Sequence, residues 1–225
     1  MIKIQSLEFA YPSGGFHLNM AEFHVDPGEK LAVIGPSGSG KTTLLNLLSG
    51  IIKTDHGSIR VADTELDKLS DAQRRDFRIA NVGMVFQQFE LVEYLDARNN
   101  ILLPFAINRS LKLDSTVQND VESIARNMGL GAKLKRRSGQ LSQGEQQRVA
   151  ICRALITNPN LILADEPTGN LDPKNKSLIL ELIFHQAQER GQTLVVVTHD
   201  MGILGEFDRV IDFEQFRVVS QEATT

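Results

Sequence analysis

Residues 35 to 42 read Gly35-Pro36-Ser37-Gly38-Ser39-Gly40-Lys41-Thr42. The spacing is G-x-x-x-x-G-K-[ST], in which the glycines let the backbone curl and turn successive N–H groups toward a chain of phosphates. Lys41 then reaches the β- and γ-phosphates. The Thr42 hydroxyl completes a Mg²⁺ shell otherwise made of phosphate oxygens and water. Upstream lies a short apolar run from Leu31 to Ile34, and downstream Thr43 to Leu48 continues as a helix that stops near Gly50. Strand, loop and helix in that order set the unpaired N–H groups of the helix start against the anion. A plain glycine turn requires neither the Lys-Thr pair nor these flanks.

Composition bounds the rest. The chain has 225 residues, 41% of them hydrophobic, which supports one α/β unit with an inserted lobe. A net charge of -4 gives no sign of direct nucleic-acid or anionic-lipid binding. The single cysteine, Cys152, excludes an internal disulfide framework, and the N-terminus lacks the pattern of a secretory leader, so a reducing, cytosolic setting is expected. No run reaches the roughly 18–20 apolar residues that span a bilayer. Any membrane role is therefore expected to come through a partner.

Taken in order, residues 2–9 and 16–25 alternate as a hairpin around Ser13-Gly14-Gly15, with Tyr11 at its tip. Residues 70–78 read as a short polar helix capped by Ser70, followed by an apolar run over 80–86 that ends on Gln87 and Gln88. From Phe89 to about Arg137 the pattern turns helical, with helices over 97–107 and 115–128, which suggests a separate lobe; with the signature helix it is expected at about 88–155, between two parts of a core at 1–87 and 156–225. Its Lys133–Arg137 cluster reads as a solvated face. Ser142 to Glu145 match the S-x-x-E capping box and open the next helix, in which Cys152 is a small core residue. Leu161–Ala164 and Thr193–Val197 are uninterrupted apolar runs, as in parallel strands covered on both faces. Between them Asp172 caps a helix that ends at Gly191, and residues 214–225 are expected to hold a last short strand and a polar tail.

Three predicted strands end in a reactive group: Ile34 at the phosphate loop, Ala164 at Asp165-Glu166, and Val197 at Thr198-His199. Ligands of open parallel sheets sit at the carboxyl ends of strands, so the three ends should meet around one site. Asp165 then holds Mg²⁺, largely through water, and Glu166 orients or deprotonates an attacking water. His199 would donate to charge developing on the γ-phosphate. Gln87 is either a loop amide or a ligand to Mg²⁺ or the attacking water that ties the lobe to nucleotide state.

Together these residues resemble the ATP-binding subunit of an ATP-binding-cassette (ABC) transporter, and the likeness covers nearly the whole chain. The aromatic at the adenine position is Tyr11, the Walker A loop runs over 35–42, and the Q-loop is at Gln87. The signature is Leu141-Ser-Gln-Gly-Glu145, Walker B ends at Asp165-Glu166, the D-loop is Gly169-Asn-Leu-Asp172, and the switch histidine is His199. The resemblance implies the phosphate-loop NTPase fold of these ATPases: a mostly parallel core sheet, an N-terminal antiparallel β part and an inserted helical lobe. Nucleotide contacts fall on Tyr11, on Gly35, Pro36, Ser37, Gly38, Ser39, Gly40, Lys41, Thr42 and Thr43, and on the D-loop Asp172. Mg²⁺ falls on Thr42, Gln87 and Asp165, and catalysis on Glu166, His199 and Gln87.

Ala164 to Asp172, Val85 to Leu91 and Asn100 to Pro104 are most similar to the LolD/MacB group, with FtsE-like division ATPases as close relatives. The resemblance implies two subunits closing head to tail on MgATP, with Ser142, Gln143 and Gly144 of one completing the γ-phosphate cage of the other. Opening after hydrolysis would pass through the Gln87 loop to an integral membrane permease, which places the chain on the cytoplasmic face of the membrane. A regulatory or scaffolding ATPase of a division or envelope complex is the alternative. Where the family signature usually has glycine, this chain has Gln143. In the first turn of a helix φ is negative and the amide survives, so Gln143 is expected to be tolerated and to offer a contact to phosphate or ribose.

Overall fold

The computed structural model describes residues 1–12, 16–54, 56–169 and 171–216. Two sheets share the chain. The first is antiparallel, in the order β2-β1-β4-β5, built from β1 (Ile2–Ala10), β2 (His17–Val25), β4 (His56–Val61) and β5 (Thr64–Glu65). Alternation in β1 and β2 buries Ile2, Ile4, Leu7, Leu18, Met20, Phe23 and Val25 on one face, as period-2 patterning requires. Residues 13–15, expected as the hairpin's turn, lie outside the described residues, and β1 and β2 pair from Ile2↔Val25 to Ala10↔His17.

The second sheet is wholly parallel, in the order β6-β7-β8-β3-β9, from β3 (Lys30–Ile34), β6 (Val82–Val85), β7 (Leu161–Asp165), β8 (Thr193–Val197) and β9 (Arg209–Asp212). Residues Leu31 to Val33, Leu161 to Ala164 and Leu194 to Val197 are buried because both faces are covered. On one face α1 (Lys41–Leu48) packs between this sheet and the antiparallel one, and its Leu44, Leu45, Leu47 and Leu48 join Ile2, Ile4, Leu31 and Val195 in one core. The other face carries α6 (Gln143–Leu155) and α7 (Pro173–Glu189). There Val149, Cys152, Leu155, Ile179 and Ile183 share a core with Ile162, Ala164 and Val196.

Along the chain α2 (Asp71–Asn81) precedes β6, and α3 (Ala97–Ile101), α4 (Leu103–Ile107) and α5 (Ser115–Asn127) lie between β6 and β7. Ser70 caps α2 through a complete capping box with Gln73, and Ser142 caps α6 through one with Glu145. The helix expected over 97–107 is two short ones. Pro104 supplies no N–H to continue the ladder, and the chain restarts after Leu102. The helix expected over 115–128 ends at Asn127, where Gly129 takes φ 66. Among the described residues the last strand is β9 at Arg209–Asp212, and Phe213–Phe216 is a 3-10 turn whose Phe213 is buried in the core that α1 shares; of the segment 214–225 expected to hold a short strand and a tail, 217–225 lie outside the described residues.

Candidate active site

The phosphate loop leaves β3 at Ile34 and enters α1 at Lys41, with Gly40 as the N-cap at φ 103. A side chain at Gly40 would be strained by that φ and would also strike Phe16, whose Cζ lies 2.2 Å from an ideal Cβ. The Lys41 ammonium is folded back over the loop and donates to the carbonyls of Gly35 and Pro36, 2.8 Å each. Ser39 is fully buried beneath the loop, and its hydroxyl has no hydrogen-bond partner among the described residues. It faces inward rather than into the cavity that the loop lines: an ideal Cβ at Gly35 would fall 3.1 Å from the Ser39 hydroxyl and 3.3 Å from Asp212 Oδ1.

The carboxyl ends of β7 and β8 flank the loop. The Thr42 hydroxyl donates to Asp165 Oδ2 at 2.8 Å. Burial, before any other influence, pushes the Asp165 carboxyl above its ordinary range. Its Thr42 hydrogen bond and Lys41 oppose the rise, and the Glu166 carboxylate adds to it. Glu166 takes φ 45, a left-handed conformation that costs a non-glycine residue energy and that clusters at functional sites. It is held there by its own N–H on the Val197 carbonyl (2.9 Å) and by the Gly169 N–H on its carbonyl (3.0 Å). The Glu166 Oε2 lies 2.5 Å from Nδ1 of His199, the residue that follows Thr198 beyond β8.

These groups open on one cavity of about 560 Å³, lined by Tyr11, Phe16, Gly35, Ser37, Gly38, Gly40 to Thr43, Gln87, Asp165, Glu166, Val197 and His199; Pro36 and Ser39, expected at the nucleotide, do not line it. The Tyr11 hydroxyl is 3.1 Å from the Thr43 hydroxyl. Gln87 packs beside Gly169, where an added Cβ would fall 2.8 Å from its Nε2. The segment after Gln87 is tied to α6 by Arg153, which donates to the carbonyls of Glu90 (2.5 Å) and Phe89 (2.9 Å). Phe16 was not legible as a site residue. An aromatic beside a turn reads as core, and only its position five residues beyond Tyr11, across the same turn, hints at a shared wall.

Ser142, Gln143, Gly144 and Asp172 do not line this cavity; they stand at the starts of α6 and α7. Gln143 is exposed and has no positive φ, so the chain accepts it where a glycine is expected. Gly144 instead needs its bare Cα, because a Cβ would sit 2.9 Å from Asn175 Oδ1. Asn175 in turn donates from Nδ2 to Asp172 Oδ2 at 2.5 Å, and Gln147 donates to the Pro167 carbonyl at 2.6 Å. Asp172 is thus tied to α7 through Asn175, and the segment just before the D-loop is tied to α6 through Pro167; Asn170 lies outside the described residues.

A parallel sheet whose strand ends gather a glycine loop, a lysine, two carboxylates and a histidine defines a nucleoside-triphosphate-binding α/β protein of the phosphate-loop class. Comparison with known proteins narrows this. The family model described as ABC transporter matches residues 18–169. The lipoprotein-releasing system ATP-binding protein LolD of Chromohalobacter salexigens is 38% identical over 221 residues, covering 97% of this chain and 92% of that one. The macrolide export ATP-binding/permease protein MacB of Rhodopirellula baltica is 38% identical over 231 residues, of which this chain spans 34% of the length. Among solved structures, a dimeric post-hydrolysis state of the ATP-binding cassette MJ0796 bound to ADP and Pi superposes with TM-score 0.84 at 32% identity, covering 95% of both chains. This chain belongs to the ABC transporter family, as an ATPase subunit whose relatives are LolD and MacB.

Proposed function

We propose that this chain binds MgATP in the cavity at the carboxyl ends of β3, β7 and β8, dimerises on it head to tail, and passes the energy of hydrolysis to a membrane permease. The observation that carries the reading is the meeting of Lys41, Thr42, Gln87, Asp165, Glu166 and His199 around one cavity. In this reading the loop amides and Lys41 hold phosphate oxygens, Tyr11 faces the base, and Phe16 closes the same wall. The residues fit a hard divalent cation, since a hydroxyl and a carboxylate already meet at 2.8 Å and the Gln87 amide lines the same space. Thr42, Asp165 and Gln87 would hold Mg²⁺, which neutralises phosphate charge when bound. Glu166 orients or deprotonates the attacking water, and His199, in contact with Glu166, donates toward the γ-phosphate.

Ser142, Gln143 and Gly144 serve the nucleotide of a second copy, and Asp172 orders the D-loop between the two. Their place away from the cavity of their own chain supports this division of labour. It makes a lone chain a poor ATPase. The core at 1–87 and 156–225 and the lobe at about 88–155 move as two parts, coupled through the Gln87 segment and Arg153. A depression of about 280 Å³ supports the permease contact, with an apolar lining that includes Met84, Phe86 and Leu103 and with Ile51 and Ile107 exposed at 45% and 61%.

Among the described residues no helix is long and apolar enough to cross a membrane, so a permease would have to be another polypeptide or another segment. The work fits the LolD and MacB type, lipoprotein release or efflux, on the cytoplasmic face of the membrane. The relatives found do not favour the division-scaffold alternative. Glu166→Gln tests the assignment: it should bind MgATP, turn over at least about tenfold slower and accumulate as a dimer. Turnover at the parent rate would remove Glu166 from the chemistry.

A further inference from the structure

Glu145 is the third residue of α6, and both of its carboxylate oxygens are engaged. Oε2 accepts the Ser142 N–H at 2.9 Å, while Oε1 pairs with the ammonium of Lys133. In return the Ser142 hydroxyl oxygen accepts the Glu145 N–H at 3.3 Å, which leaves its own proton to donate outward. Lys133 beside it, and then the Ser142 amide, hold the Glu145 carboxyl below its usual range, so it is ionised at neutral pH, and Arg148 adds a smaller pull in the same direction. The backbone around Lys133 is anchored. Lys133 ends the 3-10 turn Gly131–Lys133, and the next carbonyls, of Leu134 and Arg136, accept the N–H groups of Arg98 and Ala97 at 2.9 and 2.8 Å.

A carboxylate in the first turn favours a helix, but it also puts a negative charge beside Ser142, where the reading above brings in a triphosphate. Like charges in a partly dry interface repel strongly, because water screens them less. We propose that Lys133 is a positioning residue for the nucleotide of the partner subunit. It neutralises Glu145 and fixes its carboxylate on the Ser142 amide, so that the start of α6 receives γ-phosphate without an opposing charge. The inference rests on the head-to-tail dimer proposed above. A partly exposed ion pair contributes little to folding, so a structural role alone predicts little effect on assembly.

The test measures MgATP-dependent dimerisation by sedimentation velocity in the Glu166→Gln background, at about 50 mM and about 300 mM NaCl. Lys133→Met should weaken the dimer by about tenfold or more at low salt and by less at high salt, while monomer affinity for MgATP stays at the parent value. Lys133→Arg should keep the parent constant. Lys133→Met with Glu145→Gln should return to within about threefold of Glu145→Gln alone, since no charge is left to neutralise. Thermal unfolding of each variant confirms that it folds. A Lys133→Met dimer as tight as the parent, or a double variant no better than Lys133→Met, overturns the proposal. A parent that stays monomeric with MgATP overturns the head-to-tail reading and this inference with it.

Discussion

Gly40→Ala puts a methyl group where the Phe16 ring already lies. The ideal Cβ would be 2.2 Å from Phe16 Cζ, 2.5 Å from Cε2 and 3.3 Å from Phe213 Cε1, whereas carbon atoms in contact settle at about 3.5–4.0 Å. Relieving the clash means turning the Phe16 ring away from its place beside Tyr11, a form of overpacking that costs about 1–3 kcal/mol. The backbone adds to this, because φ 103 at Gly40 suits glycine and costs an L residue about 1–2 kcal/mol. The sum is about 2–5 kcal/mol, and at about 2–4 °C per kcal/mol for a chain of this length Tm should fall by roughly 10 °C.

The two causes separate in a double-mutant cycle with Phe16→Ala. The steric part vanishes when the ring is gone, while the backbone part stays, so urea unfolding should give a coupling of about 1–3 kcal/mol. Nucleotide affinity should drop in Gly40→Ala and recover in part in the double variant. A coupling near zero would refute the placement of Phe16 against the loop.

Asp165→Asn keeps an acceptor for Thr42 and removes a charge that burial opposes. Because the folded-state carboxyl titrates above its ordinary 3.8, the folded chain binds more protons than the unfolded one between those two values, and stability falls as pH rises through that window. The variant should therefore be more heat-stable than the parent at pH 7, with the gap closing as pH approaches the ordinary carboxylate range, and it should lose ATPase activity; an equal gap at every pH would contradict this. Cys152 is fully buried and its thiol is pushed up to about 12, so a thiol reagent should react no faster than the chain unfolds. Rapid stoichiometric labelling of the native protein would show that α6 packs differently.

How much of this the sequence disclosed depended on the range of the interactions involved. The runs Leu31–Ile34, Leu161–Ala164 and Thr193–Val197 announced buried parallel strands because both faces of each are covered. Ser70 and Ser142 announced helix starts because capping is settled within four residues. The reactive strand ends followed from those strands, and Asp165, Glu166 and His199 do meet Lys41 and Thr42 at one cavity. Long-range effects stayed hidden. The sequence Arg209-Val-Ile-Asp212 is too short and too charged to declare a strand, and it becomes one only by pairing with β3. Pro104 sits in an otherwise helical pattern, and the break it causes depends on where the ladder loses a bond. Phe16 lies against Gly40, 24 residues further along the chain, and the Glu145–Lys133 pair bridges twelve residues through the fold of the lobe.

In the function proposed above, the loop from Gly35 to Thr42 grips the phosphates of a nucleoside triphosphate. Equilibrium dialysis of MgATP against the parent chain and Lys41→Ala measures it without reference to catalysis or assembly. The parent should bind saturably and the variant should lose about a hundredfold or more in affinity, in keeping with removal of a charge-assisted contact from a partly buried site. Equal affinity in the two chains would contradict it.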